Sequence, residues 1–328
     1  MLTFLITGGC GFIGTSLIRR LVATNPEAQI KVLDNLVGGT REDLRRVSNF
    51  IEVNSGNISS AAGVVLTVGD VRDGDVLLAC ARGVDCIIHL AANTGVGPSV
   101  DNPRLDMECN VIGTFNVLEA ARMNNVKRFI FASSGAPVGE VQPPIHEEIA
   151  PHPFSPYGAS KLAGEGYCSA YFRTFGLSTV CLRFGNVYGP GSSKKASVVA
   201  KFIKLALAGE ECVIFGDGRQ TRDFIYIDDL VDALLLAIEK PVAGEMFQIA
   251  SGLERTVGEV ANIIGELLLK RGRNMVVSHH IERVGDVLRN FSDTSKAQRM
   301  LNWHPKVAID DGLARTVDWF LAGDLDRF

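Results

Sequence analysis

The chain lacks the features that mark several classes of protein. No apolar stretch is long enough to span a bilayer, and the apolar start of the chain carries no basic leader of the kind found in signal peptides. The formal charge is −4 over 328 residues, too mild a bias to indicate nucleic acid or a membrane surface as a partner. We therefore expect a cytoplasmic protein that binds any anionic ligand in a local basic pocket.

Cysteine and histidine are present but are not organised into a site. The seven cysteines are odd in number, none forms a C-x-x-C pair, and no Cys/His cluster has zinc-ligand spacing. We interpret them as free buried thiols in a reducing compartment and predict no metal. What the chain has in quantity is apolar residues, 46% of the total, enough to bury a sizeable core.

Short apolar runs alternate with amphipathic segments over residues 1–185. Strands are predicted at Thr3–Thr7, Ile30–Asp34, Val64–Val68, Asp85–His89, Arg128–Ala132 and Thr179–Arg183, and helices are predicted to begin near Phe12, Asp75, Leu105 and Tyr157. Strands that are apolar on both faces and separated by helices are typical of a parallel sheet covered on both sides. We therefore predict an α/β fold with a Rossmann-type, doubly wound sheet.

The pattern changes at two places. Residues 45–63 are rich in Asn, Ser and Gly, which indicates an exposed loop or insertion before the third strand. Beyond about Gly189 short strands mix with helices, which are predicted at Val198–Ala208, Asp229–Glu239, Val257–Lys270 and Gly312–Leu321. We expect residues 186–328 to form a smaller α/β lobe that binds the substrate, with the chain crossing between lobes more than once.

A glycine-rich turn joins the first predicted strand to the first predicted helix. The stretch Gly8-Gly9-Cys10-Gly11-Phe12-Ile13-Gly14 permits close approach of a pyrophosphate to the N-terminus of that helix. Asp34 ends the second strand, 20 residues after Gly14, where a carboxylate can bind ribose hydroxyls and repel a 2′-phosphate. The alternative is a turn that only packs helix on strand, but the context favours NAD.

A second group of residues carries candidate chemistry. Tyr157 and Lys161 are four residues apart and would share one face of a helix, for which Pro156 is a suitable first residue. An ammonium and an oxidised nicotinamide would lower the pKa of the phenol, which could then act as a base. Ser133 and Ser134 come directly after a strand and could orient the substrate hydroxyl. The spacing of Tyr157 and Lys161 also occurs by accident, so the combination is what indicates catalysis.

Taken together, these residues give a resemblance that spans nearly the whole chain. The sequence resembles the extended short-chain dehydrogenase/reductase family, specifically its NAD-dependent nucleotide-sugar epimerases and dehydratases. The matching stretches are Thr7–Gly14, Asp34–Leu36, Gly69–Asp73, His89–Ala92, Asn110–Thr114, Ser155–Lys161, Asn186–Pro190, Gly216–Gly218 and Thr221–Phe224.

The resemblance implies roles for individual residues. It implies Ser134, Tyr157 and Lys161 as catalytic residues. It implies that the cofactor is bound by Gly8, Gly11, Phe12, Ile13, Gly14, Asp34, Asn35, Asp70, Val71, Leu90, Ala91, Ala92, Asn110, Ser133, Tyr157 and Lys161. It implies that a UDP-sugar is bound by Ser134, Asn186, Arg222, Arg283 and Asn290. Without the resemblance, Arg222 and Arg283 would be interpreted as solvated surface charges.

The two residues after Ser134 narrow the reaction. By the resemblance, a 4,6-dehydratase carries Asp-Glu there and a decarboxylase typically Ser-Glu, whereas this chain has Gly135-Ala136, which cannot transfer protons. This favours a 4-epimerase for a UDP-hexose. By the resemblance, Asn290 stands where epimerases carry a residue that limits the size of the sugar, and because Asn is intermediate in size a UDP-N-acetylhexosamine could also fit. A uronate epimerase, dehydratase, decarboxylase, reductase or non-catalytic NAD-binding regulator stays open. The family's usual helix pair, here Leu105–Met123 and Tyr157–Phe175, predicts a homodimer.

Overall fold

The computed structural model describes residues 2–54, 63–281 and 288–323. The chain divides into two compact units, each assembled from separate segments. Unit 1 comprises residues 1–140, 147–184 and 231–247, and unit 2 comprises residues 141–146, 185–230 and 248–328. Within the described ranges, no helix is both long enough and apolar enough to cross a lipid bilayer.

Helices and strands alternate through most of the chain. The elements up to residue 184 are β1 (Thr3–Thr7), α1 (Phe12–Thr24), β2 (Gln29–Asp34), α2 (Arg41–Arg45), β3 (Phe50–Glu52), β4 (Gly63–Val68), α3 (Gly74–Cys80), β5 (Cys86–His89), α4 (Val96–Asp101), α5 (Pro103–Met107), a π-helical turn (Glu108–Ile112), α6 (Gly113–Met123), β6 (Arg128–Ser134), a 3₁₀ turn (Ala136–Val138), α7 (Pro156–Phe175) and β7 (Ser178–Phe184). The later elements are β8 (Asn186–Tyr188), α8 (Val198–Leu207), β9 (Cys212–Phe215), β10 (Thr221–Arg222), β11 (Phe224–Tyr226), α9 (Ile227–Glu239), β12 (Met246–Ile249), β13 (Arg255–Thr256), α10 (Val257–Leu269), β14 (Val277–His280), α11 (Ser295–Leu301) and α12 (Ile309–Gly323).

The main sheet has eight strands in the order β12-β7-β6-β5-β1-β2-β4-β3, and the pairs from β7 to β3 all run parallel. The strand order reverses beside β1, so the carboxyl ends of β1 and β5 lie side by side at the point where doubly wound sheets bind ligands. The predicted α/β, Rossmann-type fold is confirmed, and each predicted strand end lies within two residues of the observed one.

The core of unit 1 explains why these strands read as apolar on both faces. Every residue of β1 and of β2 is buried. On one face Leu5, Ile87, Phe129 and Phe131 pack against helix residues such as Val117 of α6. The two covered faces exclude water from the ladder hydrogen bonds and fix the positions of the strand ends.

Part of the stretch 45–63 forms a strand, which its composition did not predict. Phe50–Glu52 forms the edge strand β3, in which Phe50 pairs with Val64 of β4 in parallel. The exposed loop predicted for the whole stretch is therefore wrong for this part, because three extended residues are enough to pair with a buried neighbour. Residues 55–62 lie outside the described residues.

Unit 2 is built on small two-stranded sheets. β8 pairs with β11 and β9 pairs with β14, both in parallel, whereas β10 and β13 are antiparallel. The predicted C-terminal helices correspond to α8, α9, α10 and α12, and α11 was not predicted. The chain passes between the units five times, and two of these crossings lie within α9 and β12.

Candidate active site

The glycine turn between β1 and α1 is closed by backbone contacts that leave no room for side chains. Gly8 has φ of +72°, and a Cβ on Gly14 would lie 2.5 Å from the carbonyl oxygen of Gly8. Gly11 precedes α1 and supplies no side-chain cap to the helix. The turn is thus a cradle of backbone at a helix N-terminus, which fits a pyrophosphate.

Asp34, at the end of β2, braces this turn from one side. Its Oδ2 accepts a hydrogen bond from the Cys10 N–H at 2.9 Å, and its Oδ1 accepts one from the Leu36 N–H at 2.8 Å. A carboxylate oxygen can accept more than one hydrogen bond, so these contacts are compatible with the predicted ribose contact. The residue predicted to select the cofactor is thereby hydrogen-bonded to the backbone of the turn.

The other predicted cofactor residues of unit 1 lie along the same edge of the sheet. Asn35 donates to Asp70 Oδ2 at 3.1 Å, and Arg72 contacts both oxygens of Asp70 at 2.9 Å. These hydrogen bonds, above all that from the guanidinium, hold the pKa of Asp70 well below its usual range. Val71 is buried beside it, and the chain after β5 brings Leu90, Ala91 and Ala92 to the turn, where Ala91 N lies close to Gly8.

Tyr157, Ser134 and Lys161 come together at the start of α7. Pro156 is the first residue of this helix, as the sequence predicts, and the Ser155 hydroxyl, which was not predicted to do so, caps it. Ser134 lies near enough to Tyr157 for its hydroxyl to favour the ionised form of the phenol. Lys161 is 4% exposed, donates to the Ala132 carbonyl at 2.8 Å and has its Nζ 6.0 Å from the centre of the Tyr157 ring.

The charges of this group are set mainly by burial. Burial raises the pKa of Tyr157 to about 12, against the opposing effect of the Ser134 hydroxyl. Burial also lowers the pKa of Lys161 to about 8. The lowered phenol pKa expected from the sequence therefore does not come from the groups of the chain alone, since desolvation outweighs them. A further positive charge is needed to ionise Tyr157 near neutral pH.

Behind these residues lies a buried ion pair that we did not predict from the sequence. Arg183 of β7 binds both oxygens of Glu165 at 2.8 Å, and both side chains are 2% exposed. The Ser133 hydroxyl donates to Glu165 Oε1 at 2.6 Å. The spacing of Glu165, one turn beyond Lys161 on α7, was the only signal in the sequence.

Asn110 occupies the π-helical turn that joins α5 to α6. Its side chain accepts from the Asn93 N–H at 2.8 Å and donates to the Asn93 carbonyl at 2.9 Å. It also lies within hydrogen-bond distance of Asp106 and Ser160, at 2.9 and 3.1 Å. π-helical turns are frequent at functional sites because they redirect a side chain. Asn110 here links the loop after β5 to α7.

Unit 2 contains a cavity of about 260 Å³ lined by residues of that unit. Its walls include Asn186, Arg222, Lys201, Phe215 and Gln220, so that two cations, two amides and apolar surface face one space. Asn290 does not line this cavity, although its N–H donates to the Thr221 hydroxyl at 3.2 Å. Arg283 lies outside the described residues.

Asp223, buried between Arg222 and β11, organises that wall. Its carboxylate accepts hydrogen bonds from Ser251, Gly252 and Ser292 at 2.5 to 3.1 Å. Its carbonyl accepts from the Asn186 N–H at 2.7 Å. One buried residue thus fixes the strand that carries Arg222 and the strand that carries Asn186.

Comparison with known proteins finds relatives that match almost the whole chain. The sequence profile of the NAD dependent epimerase/dehydratase family matches residues 4–250. The UDP-glucose 4-epimerase of Mycolicibacterium smegmatis is 35% identical over 321 residues, which are 96% of this chain and 97% of that protein. The crystal structure of the Thermotoga maritima UDP-glucose 4-epimerase with UDP-glucose superposes with a TM-score of 0.87 at 35% identity, over 98% and 99% of the chains. A dTDP-glucose 4,6-dehydratase from Streptomyces venezuelae with NAD superposes with a TM-score of 0.87 at 32% identity, over 98% of each chain.

Proposed function

Because the chain belongs to the NAD-dependent epimerase/dehydratase family, we propose that it is a UDP-hexose 4-epimerase that acts through a transient 4-keto sugar. As a family member it is an NAD-dependent nucleotide-sugar enzyme. The observation that carries the finer proposal is the Tyr157–Ser134–Lys161 group, with two residues after Ser134 that cannot transfer protons.

The residues of the chain divide the proton chemistry between them. Tyr157 takes the proton from the sugar 4-hydroxyl and later returns it, while the Ser134 hydroxyl, which lies beside the phenol, orients the sugar hydroxyl. Lys161 supports the phenolate form with its ammonium, which the Ala132 carbonyl fixes in place. The glycine turn and Asp34 would hold NAD, which would supply the hydride chemistry at C4.

The positions after Ser134 favour epimerisation over loss of water. Gly135 precedes the 3₁₀ turn that Ala136 begins, and neither residue has a group that could remove a proton from C5 or protonate a leaving hydroxyl. The 4-keto sugar would then have one productive outcome, return of hydride to either face. This matters because both epimerases and dehydratases are similar to this chain.

The cavity of unit 2 supports a nucleotide diphosphate as the handle of the substrate. Arg222 and Lys201 supply the positive charge that a chain of net charge −4 lacks overall. Asn186 and Gln220 offer amide groups, and Phe215 offers a flat apolar surface for a base. UDP has a group for each of these three kinds of residue: an anionic diphosphate, polar groups that hydrogen-bond to amides, and a flat base. We retain a UDP-N-acetylhexosamine as a second sugar class.

The exposed face formed by α6 and α7 supports the homodimer. Phe115 of α6 and Tyr167 of α7 are 38% and 40% exposed and pack edge to face with ring centres 5.8 Å apart. Met123 and Phe175 are more than half exposed farther along these helices. A second copy of the chain would bury this apolar surface, and the mass in solution measured by light scattering tests it.

The activity is tested by product analysis. We expect the protein with NAD to convert UDP-glucose or UDP-N-acetylglucosamine into its C4 epimer, detected by NMR. Epimerisation of UDP-glucuronate alone would assign a uronate epimerase, and accumulation of a 4-keto-6-deoxy sugar would assign a dehydratase. Either result would contradict the proposal.

The mechanism is tested at Tyr157. We expect Tyr157→Phe to reduce turnover by at least about 100-fold, the lower range for loss of a positioned acid–base group, with NAD affinity nearly unchanged. Tyr167→Phe makes the same chemical change on the same helix and should keep full activity. Retained activity in Tyr157→Phe would show that another residue moves the proton.

A further inference from the structure

Two buried carboxylates approach the Lys161 ammonium, and they differ in how they are paired. Glu165 is neutralised by the two-pronged contact with Arg183. Asp106 is 1% exposed and, among the described residues, has no Arg or Lys within ion-pair distance. Of these two buried carboxylates, Asp106 is therefore the one whose charge no ion pair neutralises.

Asp106 is held by polar side chains that belong to the candidate site. Its Oδ1 accepts a hydrogen bond from Asn110 Nδ2 at 2.9 Å, and the same Asn110 amide lies 3.1 Å from the Ser160 hydroxyl oxygen. Ser160 lies on α7 between Tyr157 and Lys161, and its hydroxyl donates to the Tyr157 carbonyl at 3.0 Å. Asp106 is thus connected to α7 through Asn110 and Ser160.

One oxygen of this carboxylate is left without a partner. Asp106 Oδ2 is buried and makes no hydrogen bond among the described residues. A buried carboxylate with an unsatisfied oxygen costs stability, because the oxygen has lost its water and gained nothing. A positive charge nearby would offset this cost, and among the described residues the Lys161 ammonium has no ion-pair partner of its own, since its Nζ donates to a neutral carbonyl.

We propose that Asp106 is the counter-charge of the proton-transfer group, a positioning residue that fixes Asn110 and Ser160 and stabilises the Lys161 ammonium. This inference rests on the proposed function, since it assigns Asp106 to the same site. It explains how Lys161 stays charged beside Tyr157. Burial disfavours the charged form of this side chain, and the hydrogen-bond partner of its Nζ is a neutral carbonyl. Asp106 was not among the site residues predicted from the sequence.

The effects of Asp106 on the pKa values of its neighbours have the direction that this role requires. Asp106 raises the pKa of Lys161 against the larger effect of burial, and it also contributes to the raised pKa of Tyr157. The titratable and charged groups that face this cluster from α7, β5 and β7 are Tyr157, Lys161, Glu165, Cys168, His89 and Arg183. Burial lowers the pKa of His89 to about 3, so His89 stays neutral over the useful range.

Asp106→Asn isolates the charge, because the amide keeps the shape and an acceptor oxygen. Loss of the negative charge lowers the pKa of both neighbours, so we expect the whole pH–rate profile for turnover to move toward lower pH by about one unit. We expect the Lys161 midpoint to fall by a similar amount, about one unit, when followed by NMR of protein labelled with ¹³C at lysine Cε. Lys161→Met identifies the resonance.

Two further variants control the experiment. Asp101→Asn removes a carboxylate from the exposed end of α4 and should leave both midpoints unchanged. Asp106→Glu keeps the charge and should restore the wild-type midpoints even if turnover is slower. If Asp106→Asn does not fold, Asp106→Ser removes the same charge and should shift the midpoints in the same direction.

The outcomes separate this inference from the proposed function. Wild-type midpoints for both Lys161 and turnover in a folded Asp106→Asn protein would overturn it and leave Asp106 with a structural role. If the wild-type protein makes no C4 epimer, the proposed function fails, but the NMR titration of Lys161 still decides whether Asp106 is its counter-charge.

Discussion

Removing the Glu165 carboxylate should be among the most destabilising single changes in unit 1. Glu165→Gln replaces one charged oxygen by an amide group and leaves the Arg183 guanidinium buried at 2% exposure without a counter-charge. The Ser133 hydroxyl and the two guanidinium N–H groups now share a single neutral acceptor. The perturbation is therefore electrostatic, with almost no change in volume.

The size of the effect can be worked out from these contacts. Hydrogen bonds to charged groups contribute about 1.5–3 kcal/mol each, so three of them set an upper bound of roughly 9 kcal/mol. The amide keeps part of each contact, and breaking one side of a buried pair costs about 3–5 kcal/mol in measured cases. We expect Glu165→Gln to lower the free energy of unfolding by about 3–5 kcal/mol.

The assay is urea unfolding followed by far-UV circular dichroism. A matched control exists at the surface, where Arg41 makes the same two-pronged contact with Glu52 at 2.7 and 2.8 Å, but in solvent. Glu52→Gln should leave the midpoint within error, because exposed pairs contribute little. Replacing Glu165 by Leu together with Arg183 by Met should recover much of the loss, since no unpaired charge remains.

Equal unfolding midpoints for Glu165→Gln and Glu52→Gln would refute this reasoning. So would a double replacement that is less stable than the single one. The first result would show that burial does not strengthen the ion pair. The second would show that the ion pair stabilises the protein more than the apolar residues that replace it.

Two further predictions concern the cofactor turn and the acid limit of stability. Gly14→Ala should weaken NAD binding by roughly tenfold or more in calorimetry, because its Cβ would lie 2.5 Å from the carbonyl oxygen of Gly8. Gly38→Ala is the control, since its Cβ would meet nothing within 4 Å, and equal affinities would refute the steric argument. The hydrogen bond from Arg122 lowers the pKa of Glu119 to about 2 from an ordinary value of 4.5, so the stabilisation it gives is present above pH 4.5 and is lost as the pH falls through about 2. Glu119→Gln should lower the free energy of unfolding by on the order of 1 kcal/mol at pH 7, after allowance for solvent screening, and should have almost no effect at pH 2. A decrease that is the same at both pH values would contradict this.

Most of unit 1 could be predicted from the sequence because its signals are local. The apolar run of β1 and the glycine turn to α1 occupy neighbouring residues, and each is constrained by its own backbone. The start of α7 is also marked by neighbouring residues, since Ser155 caps the helix and Pro156 is its first residue. A parallel sheet buried on both faces is then expected from strands that are apolar throughout.

Other features failed or escaped prediction because they depend on pairing across the chain. β3 exists because Phe50 finds Val64 as a neighbour, although the composition around it is that of a loop. The π-helical turn inside the helix that was predicted to begin near Leu105 also escaped prediction, because no period in the sequence marks it. Asn110 in this turn is hydrogen-bonded to Asn93, which lies 17 residues earlier in the chain.

By itself the sequence determined the order of strands and helices, the NAD-type turn and the spacing of Tyr157 and Lys161, since periodicity and backbone sterics act within a few residues. Only the tertiary structure decided which charges meet. Glu165 finds Arg183 across α7 and β7, whereas Asp106 is left with neutral partners beside Lys161. Electrostatic energy depends on distance and burial, and residues more than a turn apart in the sequence acquire both only when the chain folds.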